Sequence, residues 1–479
     1  MLYLFGLSLS VGLGILVVEI LASKGAKVSF FLKLFLGAGL GLGLSAQIVF
    51  YSFLIFKQYS RPAILTGHLL AFAILIMLRL RHCKKASQPF INIPTTPLSD
   101  IVGFILILLL IVPLWFQGHL YPYGGWDAWS CWNLKGQFLF SGGENWRNMF
   151  DPLMWRSNTH YPFLLPLINV FGWSFYKDAN NLIPLYNSIT FPVITAGVLF
   201  FALKGLTRKF LAIIPVVALF TLPFFVKLAA SQYTDIVLGY YLLAAVICLV
   251  LAKTSTSAYF SVLAGIMIGF LSFTKPEGTL AAGFLIVLSA PYLLSTLTTG
   301  VIARRGLYAE AISTIKEIAS GKKRPRNDKI ESNTKTIKIF LLACFVSLLP
   351  TVLFKLFLSP GNETFINGLT SIEKPSTFVR WQWIFAFLGI EFIHKKWLGL
   401  WIICSAGILL GLPKSFGKNL WIIPGFIGLY LLTAIVYYYV NTYFDLAWWL
   451  SVTLNRILFS ILPLMVFWMW AGLGMEKNN

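Results

Sequence analysis

Long apolar runs, separated by short polar stretches, recur along nearly the whole chain. A helix needs roughly 20 apolar residues to cross a bilayer, so the runs predict about thirteen membrane-spanning helices. The predicted spans are residues 2–22, 28–56, 62–80, 98–116, 182–203, 210–228, 236–252, 258–274, 279–298, 339–358, 398–412, 420–440 and 456–473. Two further apolar stretches, 161–176 and 381–394, are expected to be re-entrant or surface-lying, since counting either as a span would reverse the orientation of everything after it.

Composition supports the same class, an all-α polytopic membrane protein. Hydrophobic residues make up 58% of the 479 residues and charged residues 11%, against roughly 25% charged in soluble proteins. The formal net charge of +21 would suggest nucleic acid as the partner of a soluble chain. Much of that charge lies beside apolar segments, where Lys and Arg set membrane orientation, so we predict a lipid bilayer as partner and no nucleic acid.

Basic residues at 81–85, 208–209 and in a basic loop at 301–338 predict which connections face the cytoplasm. The N-terminus then lies outside and the C-terminus inside. We expect a three-helix N-terminal extension at 1–97 and a catalytic membrane domain at 98–473. The domain would carry a large first external loop at 117–160, with surface-lying helices, and another external loop at 359–380.

This topology places the most informative ionisable residues on one external side. They are Asp127, His160, Asp235, Lys275, Glu277 and Arg456. Ionisable residues at membrane depth are costly and tend to mark substrate routes. We therefore expect these side chains to meet in one extracytoplasmic pocket.

Asp127 follows Trp126 in a loop that also contains Trp129 and Trp132. A carboxylate in such surroundings can lose hydration and accept a proton from a polar substrate. The alternative is a loop aspartate beside interfacial aromatic residues. A loop as long as 117–160 is usually functional, although a solvated cap with no catalytic part is the other interpretation.

His160 and Tyr161 stand where this loop returns to an apolar environment. The histidine can donate to a phosphate or orient a neighbour, or it can satisfy a helix end. Asp235 precedes an apolar run, where capping and the helix dipole favour an acid. It could instead bind sugar hydroxyls or share a divalent cation, Mg²⁺ or Mn²⁺, with Asp127.

Lys275, Pro276 and Glu277 interrupt two apolar runs. Lys275 can face an anion, or it can be neutralised by Glu277 within a turn. Arg456 begins the last apolar run. Its planar guanidinium suits a phosphate diester, although an arginine at that depth is also a common headgroup anchor.

Together these residues resemble the polytopic glycosyltransferases of the GT-C fold class, which include protein O-mannosyltransferases and the aminoarabinose transferase that modifies lipid A. The likeness covers residues 98–473. It rests on the order and place of Gly125-Trp126-Asp127, His160-Tyr161-Pro162, Tyr233-Thr234-Asp235, the 271–278 stretch and the 451–456 stretch. Two departures are the single acid at Asp127, where the family often has two adjacent acids, and Tyr161, where the family often has proline.

The resemblance implies transfer of a sugar, hexose or pentose, from a polyprenyl-phosphate carrier to a lipid, glycan or protein acceptor. The reaction would invert the anomeric carbon on the outer face of a bacterial inner membrane. Asp127 would be the general base. The implied substrate-binding residues are Trp126, His160, Tyr161, Asp235, Lys275, Glu277 and Arg456.

Two other functions stay open at this stage. A lipid flippase or transporter would use the charges to line a path, although charges gathered on one side argue against it. A polymerase or ligase acting on a lipid-diphosphate glycan would rely more on arginine than on a carboxylate. No cofactor is certain, and the divalent cation is the one candidate.

Overall fold

The computed structural model describes residues 2–22, 28–86, 90–91, 96–207, 210–255, 258–294, 325–369, 378–417 and 419–474. These ranges form helices and contain no β-strand. The α-helices are α1 (Leu2–Ala22), α2 (Phe30–Phe56), α3 (Arg61–Ala86), α4 (Leu98–Leu109), α5 (Ile111–Leu120), α6 (Asn133–Ser141), α7 (Leu164–Trp173), α8 (Leu182–Thr207), α9 (Ile213–Phe220), α10 (Pro223–Ala229), α11 (Thr234–Ser255), α12 (Ala258–Ser272), α13 (Pro276–Leu294), α14 (Pro325–Phe357), α15 (Glu363–Leu369), α16 (Phe378–Ile393), α17 (Leu400–Gly417), α18 (Ile422–Val440) and α19 (Leu446–Gly474). Residues 208–209, most of the basic loop (301–324) and residues 370–377 lie outside the described residues.

Ten described segments are long and apolar enough to span a bilayer. They are Leu2–Ala22, Phe30–Phe56, Arg61–Lys84, Leu98–Leu120, Leu182–Thr207, Thr234–Ser255, Pro276–Leu294, Thr334–Phe357, Ile422–Val440 and Leu446–Gly474. The predicted class, a multi-pass helical membrane protein, is supported, while thirteen spans stay a prediction. The three predicted spans without a long helix are 210–228, which bends by 79° between α9 and α10, and two that form shorter apolar helices, Ala258–Ser272 and Leu400–Pro413.

The two stretches predicted to be re-entrant or surface-lying are both helical and both short. The first forms α7, whose ten residues are all buried and which packs against α2 and α6. The backbone N–H of Leu164 donates to the carbonyl of Phe273 at 3.1 Å. The second forms α16, with 16 residues. Both helices fall short of the roughly 20 residues that a span needs.

The first large loop is folded into short helical pieces. A π-helical turn at Ala128–Trp132 leads directly into α6, and 3₁₀ helices follow at Gly143–Phe150 and Pro152–Ser157. Trp132 and Trp146 point into the protein core, whereas Trp126 and Trp129 are exposed. The loop is therefore ordered and packs against the rest of the protein. Its position on a membrane surface stays a prediction.

The N-terminal helices pack closely with the rest of the fold. Helix α2 lies against α1, α7 and α8. The hydroxyls of Tyr240 and Tyr241 on α11 donate to the carbonyls of Phe35 and Gly39 on α2, at 2.9 and 2.8 Å. The α1–α2 contact depends on small residues, because a Cβ at Gly41 would lie 1.7 Å from the Ser10 carbonyl oxygen.

Substituting Gly41 with Ala should therefore destabilise the protein. Overpacking of a closely packed core typically costs about 1–3 kcal/mol, and here the obstacle is backbone. The matched control is Gly428→Ala on α18, where a Cβ would meet nothing within 4 Å. We expect a lower thermal unfolding midpoint in detergent for Gly41→Ala and an unchanged or higher midpoint for the control. Equal midpoints would contradict the observed α1–α2 packing.

Candidate active site

Five of the predicted site residues form one ion-pair network. The Arg456 guanidinium donates from Nη1 to Asp127 Oδ2 at 2.6 Å, and from Nη2 and Nε to Asp235 Oδ2 at 2.9 and 3.1 Å. The Lys275 ammonium donates to Asp235 Oδ1 at 2.7 Å and lies 3.6 Å from Glu277 Oε1. The structure thus brings together four segments that are far apart in sequence.

Helix ends position most of these side chains. Asp235 lies in the first turn of α11, where the helix dipole favours a carboxylate. Lys275 directly precedes α13, and Glu277 lies in its first turn. Arg456 lies within α19, which packs along α11. The Asp235 carboxylate at the start of α11 therefore pairs with one cation from just before α13 and with another from α19.

Two glycines allow the Asp127 loop to approach α11. Gly124 has a φ of +74°, a conformation that L residues rarely adopt, and the Gly125 N–H donates to the Ser231 carbonyl at 3.0 Å. A Cβ at Gly125 would lie 2.4 Å from the Tyr233 hydroxyl oxygen. The Asp127 N–H donates to that same hydroxyl at 3.4 Å. Close backbone contact is therefore what places the Asp127 carboxylate beside Arg456.

The network has a buried floor and an open edge. The side chains of Asp235 and Lys275 are 0% and 4% exposed, whereas those of Asp127, Arg456 and Glu277 are 22%, 20% and 35% exposed. Among the described residues, Asp127 Oδ1 accepts no hydrogen bond, whereas Glu277 Oε2 is buried without a hydrogen-bond partner. Each terminal nitrogen of Arg456 keeps a second N–H. The open edge therefore offers acceptors and donors to a polar ligand.

The electrostatics keep Lys275 charged. Burial alone would lower the pKa of the Lys275 ammonium, but the Asp235 and Glu277 carboxylates outweigh it and raise the pKa above its usual value. Burial, with the Asp127 carboxylate adding to it, raises the pKa of the Tyr233 phenol. The ring of Tyr233 lies under the Arg456 guanidinium, with 4.7 Å between ring centroid and Cζ.

His160, Tyr161 and Trp126 lie outside the ion-pair network. The His160 carbonyl accepts from the Lys355 ammonium at 2.8 Å. Burial, reinforced by the Lys135 and Lys355 ammonium groups, lowers the pKa of His160 to about 3. Burial first, and then the Glu277 carboxylate, raises the pKa of the Tyr161 phenol. Trp126 is 60% exposed and makes an edge-on contact with Trp129.

The two aspartates do not fit the predicted divalent cation. Both oxygens of Asp235 already accept from cationic side chains, and Arg456 lies between Asp235 and Asp127. A site for Mg²⁺ or Mn²⁺ would need several free oxygen ligands. Within the described ranges, no group of three His, Cys, Asp or Glu side chains could hold a metal ion. A guanidinium, and not a metal, bridges the carboxylates.

Sequence reasoning missed three residues that shape the site. Tyr233 supports both Arg456 and Asp127. Lys135 is 1% exposed and donates to the Asn158 carbonyl at 2.6 Å, and Lys355 reaches His160. Tyr233 was within the Tyr233-Thr234-Asp235 motif and could have been found there. Lys135 and Lys355 carry no sequence signal, because a lysine in a loop helix or at a helix end is ordinarily solvated.

Comparison of the chain with protein-family models, with curated proteins and with solved structures gives no match. The resemblance to GT-C glycosyltransferases therefore rests on motif order within this chain alone. Function has to be inferred from the chemistry of the site.

Burial predicts different stability effects for the two aspartates. Asp235→Asn leaves two buried cations under-compensated, and breaking a buried pair in this way typically costs about 3–5 kcal/mol. Asp127→Asn removes a partly exposed partner and should cost less. Thermal unfolding in detergent should give a clearly lower midpoint for Asp235→Asn than for Asp127→Asn. Equal midpoints would show that the buried floor does not support the fold.

His160 predicts a pH dependence of stability. Its folded pKa of about 3 lies below the ordinary value of about 6.5, so only the unfolded chain takes up this proton between those values. The stability contribution of neutral His160 is therefore present above about pH 6.5 and is lost as the pH falls toward 3. We expect the unfolding midpoint of His160→Gln to fall less steeply between pH 7 and pH 5 than that of the wild type. The matched control is His119→Gln, which removes an exposed histidine, and identical slopes in wild type and His160→Gln would refute the prediction.

Proposed function

We propose that the chain is a membrane glycosyltransferase. It moves a sugar from a polyprenyl-phosphate carrier to an acceptor hydroxyl on the outer side of the membrane, with inversion at the anomeric carbon. One observation carries the proposal: the Asp127 carboxylate is held by Arg456 through Oδ2 while Oδ1 is left without a partner among the described residues. A positioned carboxylate with one free oxygen at an open edge suits a general base.

Asp127 and Arg456 supply the chemistry in this mechanism. As the acceptor oxygen attacks the anomeric carbon, Asp127 Oδ1 takes the hydroxyl proton. The bond between the anomeric carbon and the phosphate oxygen breaks, and its electron pair leaves on the polyprenyl phosphate. The remaining N–H groups of Arg456 stabilise the negative charge that develops on the phosphate.

Asp235 and Lys275 are positioning residues in this mechanism. Lys275 was expected to contact the leaving phosphate, but its ammonium is buried and engaged by Asp235 at 2.7 Å. The Lys275 ammonium holds the Asp235 carboxylate in place, and that carboxylate in turn holds the Arg456 guanidinium. Glu277 is half-buried at the edge, and its Oε1 lies 3.6 Å from the Lys275 ammonium. Of the two cations expected to contact an anion, Lys275 and Arg456, the mechanism therefore keeps Arg456 in direct contact.

A lipid-linked donor suits the location of the site. The network lies where α11 and α13 begin, so a ligand with a long apolar tail could reach it from the bilayer. The sequence contains no Gly-rich phosphate cradle of a nucleotide enzyme. The predicted positions of the basic loops favour an outward-facing site, and the bacterial inner membrane belongs to the proposal through the GT-C resemblance.

Asp127→Asn in proteoliposomes tests the proposal. The donors are hexosyl and pentosyl polyprenyl phosphates, supplied with a cell-envelope lipid extract as acceptor, and the readout is released polyprenyl phosphate. General-base catalysis contributes typically about 10²–10⁴-fold, so release should fall by that factor. The matched control, Glu144→Gln, changes an exposed acid in the same loop and should keep wild-type release. Unchanged release in Asp127→Asn would refute the base, and lipid movement without release would indicate a flippase.

A further inference from the structure

Two lysines near Tyr161 have no carboxylate partner among the described residues. The Lys135 ammonium is 1% exposed and donates to the carbonyls of Asn158 and Tyr161, at 2.6 and 3.5 Å. Aromatic rings surround it, with centroids 5.7, 5.4 and 6.0 Å away for Trp132, Tyr161 and Phe163. A buried cation without a counter-charge is costly, and such groups are usually paired.

Lys355 lies beside it at the end of α14. Its ammonium is exposed and donates to the His160 carbonyl at 2.8 Å and to the Ser359 hydroxyl at 3.4 Å. An ammonium has three N–H donors, so one is left for a ligand. The next residues, Leu356 and Phe357, are 70% and 68% exposed. A cation therefore meets a strongly apolar surface here, as expected where the headgroup layer borders the hydrocarbon.

Lys135, His160 and Lys355 together form what we call the cationic corner. Burial lowers the pKa of Lys135, a shift that a bound anion would oppose. Both lysines also disfavour protonation of His160. Because the observed partners of both lysines are carbonyls and a hydroxyl, the corner carries positive charge without a carboxylate partner among the described residues.

The ion-pair network has the opposite imbalance. It contains three carboxylates, Asp127, Asp235 and Glu277, against two cations, Lys275 and Arg456. Tyr161 is linked to both charge groups: its carbonyl accepts from Lys135, and, after burial, the Glu277 carboxylate raises the pKa of its phenol. Of the two places, the corner is the one with a net positive charge, while Arg456 keeps free N–H donors within the network.

We propose that the cationic corner binds the phosphate of a membrane lipid, with Lys355 contacting the phosphate and Lys135 supplying buried positive charge behind it. The ligand chemistry is a lipid phosphate, which a polyprenyl-phosphate carrier or an anionic phospholipid could each provide. The choice of the carrier as occupant rests on the proposed function. The corner itself rests only on the charges and contacts of this chain.

Native mass spectrometry of the full chain in detergent, titrated with polyprenyl monophosphate, tests the corner. Lys355→Gln removes one charge-assisted contact, typically about 1.5–3 kcal/mol, so affinity should fall by roughly tenfold or more. The matched control is Lys338→Gln, which changes an exposed lysine 17 residues before Lys355 in the same helix, α14. Lys355→Arg should restore binding, because it keeps the charge.

Competition identifies the occupant. If phosphatidylglycerol does not displace polyprenyl phosphate, the corner is a carrier site; if it competes equally, the corner is a headgroup site, and the lipid-phosphate proposal still holds. Wild-type affinity of Lys355→Gln for both lipids would overturn it. The proposed function can fail independently of the corner. Asp127→Asn should bind polyprenyl phosphate with wild-type affinity. If the wild type binds the lipid but transfers no sugar, the transferase proposal is refuted and the corner proposal stands.

Discussion

The Arg456 guanidinium is the interaction on which the site depends. It joins Asp127 and Asp235, which lie 329 and 221 residues away in sequence. Because the pairs are largely buried, removing one partner would leave an uncompensated charge, so the network holds the first loop, α11 and α19 in one arrangement. The same contact that fixes the fold also orients the carboxylate proposed as the base. Arg456 therefore supports both the fold and the proposed reaction.

Burial assigns different roles to two residues of the same type. Asp235 has both oxygens engaged and no exposure, so it can only position its neighbours. Asp127 is partly exposed and keeps one oxygen without a partner among the described residues. Sequence reasoning could weigh each acid only by its local context. Solvent access, which decides whether a carboxylate can meet a substrate, depends on packing between distant helices.

Hydropathy was enough to predict the helical membrane class, because apolar runs of spanning length need no tertiary information. It was less informative where helices are interrupted: the run 210–228 contains the Leu222-Pro223 break that separates α9 from α10. The predicted topology, with the charged site residues on one side of the membrane, was enough to predict that they would meet. The sequence could not predict which of these side chains pair with each other. The pairs depend on long-range packing, which also sets the approach of Gly124–Gly125 to the start of α11 and the burial of Lys135.

The separation of charge between the network and the cationic corner would orient a bound ligand. Excess carboxylate lies at the network edge and excess ammonium at the cationic corner. A phosphate about 4 Å from an ammonium gains about 4 kcal/mol at an effective dielectric constant of about 20. A neutral sugar with hydroxyl donors instead matches the free oxygen of Asp127. A lipid-linked sugar carries both groups, so the electrostatic field alone would favour its phosphate toward the corner and its hydroxyls toward the carboxylates.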